Sequence, residues 1–179
     1  MKIIAFGASY SKASINKQLV SFAAKQFDQA EIEVLDLNQY QLPLFTVDVE
    51  SEIGHPEAAK SFLQKLGEAD LLIISMAEHN GSYTAAFKNL FDWTSRVNMK
   101  LFENKKLLLL STSTGQRGGA SVIAAAAARF PRHGAEIIGT FSLPSFRENF
   151  DVEKGILNEE LSRQFQEILI SVKRDIQRL

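Results

Sequence analysis

Short continuous apolar runs alternate along this chain with stretches whose apolar residues recur every three or four positions. The runs Ile3–Phe6, Leu71–Ile74 and Leu107–Leu110 have no polar interruption, as strands buried on both faces do. Glu31–Asp36 alternates instead, setting Ile32 and Val34 against Glu31 and Glu33, and Ala135–Phe141 is a weaker run with Gly139 inside it. These two fit outer strands. The expected fold is a three-layer α/β sandwich. Its five-stranded parallel sheet takes the doubly wound order 2-1-3-4-5, with helices on both faces.

Helical periodicity fills the gaps. Ile15, Leu19, Phe22 and Ala23 share one face, with Ser14 placed to cap it. Pro56–Leu66 is the second helix, with Pro56 near its first turn and Gly67 past its end, and Ala85–Arg96 is the third. Ser121–Phe130 is the fourth, stopped by Pro131 and Gly134. The last carries the stripe Leu161, Phe165, Ile168, Val172, Ile176 and Leu179. Glu159 and Glu160 open it and Lys173, Arg174 and Arg178 close it, in keeping with the helix dipole. Two longer loops remain, Leu37–Ile53 and Leu143–Asn158. No repeat or linker divides residues 1–179, so one domain is expected.

Composition narrows the chemistry. With no cysteine, disulfides, thiolate catalysis and cysteine-ligated metal centres drop out, and three scattered histidines make no metal site. Twenty basic against 21 acidic residues lack the basic footprint of a nucleic-acid binder. No apolar run approaches the roughly 18 residues of a membrane span. The opening Met1–Phe6 is too short for a signal segment, so a cytoplasmic protein is expected.

In an open α/β sheet, ligands gather beyond the carboxyl ends of the strands, where the strand order reverses. Three loops start there. The first, Gly7-Ala8-Ser9-Tyr10-Ser11-Lys12-Ala13-Ser14-Ile15-Asn16, brings hydroxyls to a helix N-terminus, which suits a phosphomonoester or simply a capped Ser-rich turn. It matches neither a dinucleotide fingerprint nor a P-loop. In the second, Glu78-His79-Asn80-Gly81, the Asn-Gly pair predicts a turn with φ > 0. Behind it, Phe87, Leu90 and Phe91 read as core, and Lys88, Asn89 and Asp92 as a solvated helix face. The third, Ser111-Thr112-Ser113-Thr114-Gly115-Gln116-Arg117-Gly118-Gly119, has three glycines through which backbone can approach a flat ligand.

Taken together, these blocks resemble the NADPH-dependent FMN reductase family, the flavodoxin-like quinone, azo-dye and chromate reductases. Gly7-Ala8-Ser9 with Ser14-x-Asn16 resembles that family's phosphate loop. Glu78-x-Asn80-Gly81-Ser82, followed by Phe87-Lys88-Asn89-x-x-Asp92-Trp93, resembles its most specific signature. Ser113-Thr114-Gly115 with Gly118-Gly119 and the segment Leu42-Pro43-Leu44-Phe45 complete the likeness.

The resemblance implies a flavodoxin-like fold and FMN as cofactor. Ser9, Ser11, Ser14 and Asn16 would lie at its phosphate, Glu78, His79, Asn80 and Gly81 along its ring and ribityl chain, and Ser113, Thr114 and Gly115 at the ring edge. It further implies ping-pong hydride transfer from NAD(P)H to the flavin N5 and on to a quinone, azo compound, free flavin or similar small-molecule acceptor, in a homodimer or homotetramer. No side chain need be a catalytic acid or base, though His79 is a candidate proton source. Three positions depart from the family's pattern. Ser11 replaces an arginine, removing a phosphate-binding charge; His79 replaces tyrosine, and Ala77 proline. Two other readings stand beside the reductase: a flavin- or phosphate-binding regulatory module without turnover, and a flavodoxin-type electron carrier. The near-zero net charge argues against the carrier.

Overall fold

A computed structural model describes residues 1–177 of the chain. Arg178 and Leu179, expected at the end of the last helix, lie outside the described residues. The elements run β1 (Lys2–Ala8), α1 (Ile15–Ala24), β2 (Glu31–Val34), α2 (Val47–Ile53), α3 (Glu57–Gly67), β3 (Leu71–His79), β4 (Ser82–Tyr83), α4 (Ala85–Val97), β5 (Lys106–Thr112), α5 (Ala120–Arg129), β6 (Glu136–Leu143), α6 (Phe146–Asn149), β7 (Phe150–Asp151), β8 (Gly155–Ile156) and α7 (Glu159–Ile176).

Five parallel strands are ordered β2-β1-β3-β5-β6, which is the expected 2-1-3-4-5. A sixth, two-residue strand, β4, folds back antiparallel on β3. The alternation of side chains across a strand sorts the core into two halves. Ile4 and Phe6 of β1 face Phe62, Phe87, Phe91 and Phe130, under α3, α4 and α5. Ile3 and Ala5 face Leu19, Val20, Phe165 and Val172, under α1 and α7. Every residue of β1 from Ile3 to Ala8 is buried, whereas none of β2 is, as expected of central and edge strands.

Three expectations change. The loop Leu37–Ile53 holds a short 3₁₀ turn and α2, and Leu143–Asn158 holds α6 and the β7–β8 hairpin. Gly67 is the last residue of α3 rather than the one beyond it. Gly139 marks a register shift between β5 and β6. It lies so close beneath α7 that an added Cβ would sit 2.9 Å from Val172.

Candidate functional site

The first loop is fixed by close packing at its root. A Cβ on Gly7 would lie 2.6 Å from the Lys17 backbone nitrogen, so glycine lets the first turn of α1 press against the end of β1. Ser14 caps α1, its Oγ accepting the Lys17 N–H at 3.1 Å. Ser9 Oγ accepts the Ser11 N–H at 3.1 Å and tightens the turn between them.

Asn16 has a task that its sequence position does not reveal. It is 3% exposed, and its Oδ1 accepts the Ser75 hydroxyl at 2.7 Å and the Thr112 N–H at 3.2 Å. Its Nδ2 donates to the Thr112 carbonyl at 3.2 Å. The amide therefore ties α1 to the ends of β3 and β5. Toward an anion it retains its backbone N–H, since the first N–H groups of a helix have no intrahelical acceptor.

At the end of β3 the chain turns through Asn80 (φ 52°) and Gly81 (φ 77°) into β4. Two successive positive φ angles make the tight hairpin that Asn-Gly favours. Glu78 also engages a neighbouring helix: its Oε2 accepts the Val122 N–H at 2.9 Å. Because the N-cap residue of α5 is Gly119, which has no side chain to cap with, the Glu78 carboxylate serves that helix N-terminus. Thr84, the cap of α4, donates its hydroxyl to the Ala8 carbonyl at 3.1 Å and so joins β1 to α4.

In the third loop the glycines divide by role. A Cβ on Gly118 would lie 2.7 Å from Ser142 Oγ and 2.8 Å from the Leu143 backbone, and Gly119 packs on Ser111. Gly118 serves the junction with β6 and Gly119 that between β5 and α5, correcting the expectation that all three glycines open toward a ligand. Only Gly115 has free space, its nearest neighbour being Ser113 Oγ at 3.9 Å.

The three loops enclose a cleft of about 230 Å³. Ser9, Ser11, Ser14, Asn16, Glu78, His79, Ser113 and Thr114 line it, together with Ala13, Ile15, Ala77 and Thr112, to which the sequence assigned no cofactor contact. Asn80, Gly81 and Gly115 lie outside the lining. No lysine or arginine takes part, and the one carboxylate is held by α5. The donors are hydroxyls and amide N–H groups at a helix N-terminus, a set that fits a phosphate monoester held without a cation. The site thus accommodates FMN by its donor chemistry. Among the described residues, no three His, Cys, Asp or Glu side chains gather as metal ligands.

Around the cleft, α4 supports a neighbouring loop. Asn89 Oδ1 accepts the Phe45 N–H at 2.8 Å, its Nδ2 donates to the Pro43 carbonyl at 2.9 Å, and Trp93 Nε1 donates to the same carbonyl at 2.8 Å. Phe45 meets the Trp93 ring edge-on at 5.0 Å. Asn89 is therefore a loop anchor rather than part of a solvated face. Lys88 and Asp92, paired at 2.7 Å in the i,i+4 arrangement, do lie toward solvent. Tyr10 donates to the Tyr40 carbonyl at 3.0 Å, and burial pushes its phenol up to about 12.

Comparison with known proteins agrees with this architecture. The model of a family described as NADPH-dependent FMN reductase matches residues 1–147. The chain is 26% identical over 190 residues to an NADPH:quinone oxidoreductase of Arabidopsis thaliana, covering 97% of this chain and 90% of the relative. It is 29% identical over 121 residues to the quinone reductase of Escherichia coli strain K12, covering 67% and 64% respectively. The solved structure of the flavoenzyme NAD(P)H:(acceptor) oxidoreductase FerB from Paracoccus denitrificans superposes with a TM-score of 0.75. The two are 20% identical, and the match covers 96% of this chain and 95% of that one.

Proposed function

We infer the reaction from two premises: the chain belongs to the NADPH-dependent FMN reductase family, and its cleft offers neutral donors where that cofactor's phosphate belongs. The protein is an FMN-dependent NAD(P)H oxidoreductase. Bound FMN supplies the two-electron chemistry that joins NAD(P)H to an acceptor. In our assignment, the hydroxyls of Ser9, Ser11 and Ser14 and the first-turn N–H groups of α1 hold the phosphate. The backbone of 78–81 and 113–115 orients the ring. Glu78, engaged by the Val122 N–H, keeps its charge directed at α5 and fixes the loop that carries His79. His79, exposed at the end of β3, stands as the proton donor to the departing product.

The names of the relatives support quinones as acceptors, with free flavins as a second class. Donor and acceptor must both reach the one flavin ring, which supports their binding in turn and hence ping-pong kinetics. We further assign a cytoplasmic location, where reduced nicotinamide nucleotides are produced, and a homodimer or homotetramer. No described helix is long and apolar enough to cross a membrane.

The observation that carries this reading is the meeting of three strand ends around hydroxyl and amide donors. The test is to load the protein with FMN and add NADH or NADPH without oxygen. Bleaching of the flavin within minutes, reversed by a benzoquinone, is expected; flavin that stays oxidised with both donors would end the reductase reading.

A further inference from the structure

A larger groove, of about 570 Å³, continues from the cleft along the outer face of α1. The two share Ala13 and Ser14, so they adjoin at the turn that leads into α1. Along α1 the groove follows Ser14, Gln18, Ser21 and Lys25, spaced by three and four residues and therefore on one face. From Ser14 to Lys25 it runs roughly 16 Å at the helical rise. Its opposite wall is the β7–β8 hairpin, with Val152 73% exposed. That wall is firmly set: a Cβ on Gly155 would run into the Phe22 ring, and Phe22 meets Phe150 edge-on at 5.5 Å.

The groove is electropositive. Lys12, Lys17 and Lys25 line it, against one carboxylate, Glu153. Lys17 is paired with Asp36 at 2.9 Å, whereas Lys12 and Lys25 are exposed and in no ion pair among the described residues. It therefore combines free cations, side-chain hydroxyl and amide groups, and apolar surface at Phe22 and Val152. Its volume falls in the range of roughly 300–1,000 Å³ typical of small-molecule sites.

Resting on the placement of the FMN phosphate at Ser9–Asn16, we propose that this groove receives the adenosine 5′-phosphate half of FAD. The chain then accepts the dinucleotide flavin as well as FMN. FAD is FMN extended at its phosphate by adenosine monophosphate, so the extra half must leave the cleft at that end. There the groove begins, with Lys12 beside the junction for the second phosphate. Gln18 and Ser21 are placed for the ribose, and Phe22 and Val152 for the adenine. NAD(P)H carries the same adenine-nucleotide chemistry, but its reactive ring must lie at the flavin ring, away from this end.

The test uses the full chain freed of flavin, titrated with FMN, FAD and AMP by flavin fluorescence and calorimetry. FAD is expected to bind within about tenfold of FMN, and AMP to compete with FAD but not with FMN. Lys12→Gln and Val152→Asp, both at exposed positions outside the cleft, should weaken FAD by about fivefold or more while holding FMN within about twofold, which also reports an intact fold. Loss of FAD affinity beyond tenfold relative to FMN overturns the proposal, as do substitutions that shift both flavins alike or neither. In FMN-loaded protein, a higher NADPH half-saturation in the same variants assigns the groove to the donor and overturns it too. Failure of FMN itself to bind would instead remove the reading of the cleft.

Discussion

A single buried amide decides whether the three ligand loops stay in register. Asn16 makes three hydrogen bonds to β3 and β5, and Asn16→Ala would strand the Ser75 hydroxyl and both backbone groups of Thr112. The expected cost is about 3 kcal/mol of unfolding free energy, read from urea melts, with weakened FMN binding. A variant with unchanged stability would contradict this role. His133 carries a pH signature. It is 4% exposed, its Nδ1 lies 2.7 Å from the Met99 carbonyl and so carries the proton, and its Nε2 has no partner. Burial lowers its pKa below the ordinary 6.5; the Met99 bond opposes this, and Arg129 and Lys100 add to the lowering. The unfolded chain thus binds a proton more readily. The stability contribution is complete above pH 6.5 and is lost as the pH falls below it. His133→Phe should flatten the stability curve between about pH 7 and about pH 5; an unaltered curve would exclude His133 as its source. Neither role was legible in the sequence, because the partners of Asn16 lie 59 and 96 residues away and that of His133 lies 34 residues away.

At the scale of elements, the meeting of β1 and α1 is the tightest joint in the site. Gly7→Ala would drive a methyl group into the Lys17 and Asn16 backbone. It should lower stability by about 1–3 kcal/mol, as overpacking does, and weaken FMN binding more than riboflavin binding, because the displaced turn is the phosphate end. Calorimetric titration of both flavins checks this; equal losses would place the effect elsewhere. The strands were legible because continuous apolar runs at Leu71–Ile74 and Leu107–Leu110 mark central positions and the alternation at Glu31–Val34 marks an edge. The long helices followed from their periodicity and caps. The elements that escaped are short: α2, α6, β4 and the β7–β8 hairpin each span too few residues to establish a period, and the hairpin depends on Phe22 of a distant helix. Of the site, eight of the twelve cleft-lining residues were readable from loop position and family likeness, whereas the tie made by Glu78 to α5 needed the folded chain.

For the whole molecule, the surface beside the cleft bears on assembly. Leu44 and Val47 are 76% and 69% exposed, on the segment that Asn89 and Trp93 hold against α4. Exposed apolar residues on an anchored loop favour a partner there. Size-exclusion chromatography is expected to show about twice the 20.0 kDa chain mass or more, and Leu44→Glu with Val47→Glu to reduce it to the single chain; a 20.0 kDa species in the unaltered protein would contradict the assembly.

The Asn16 tie also orders events in time. Its two ends are 96 residues apart in the chain. A ribosome making this protein delivers the phosphate-loop residues first and must then add some hundred more before Thr112 exists to hold them. β1 likewise waits for β3, its inner neighbour, before its apolar flank is covered. The nascent N-terminal third therefore carries a hydrophobic strand that stays uncovered during synthesis, the interval in which chaperone capture or misassociation competes with folding. Cofactor loading comes after that interval, when the last of the three strand ends has closed the cleft.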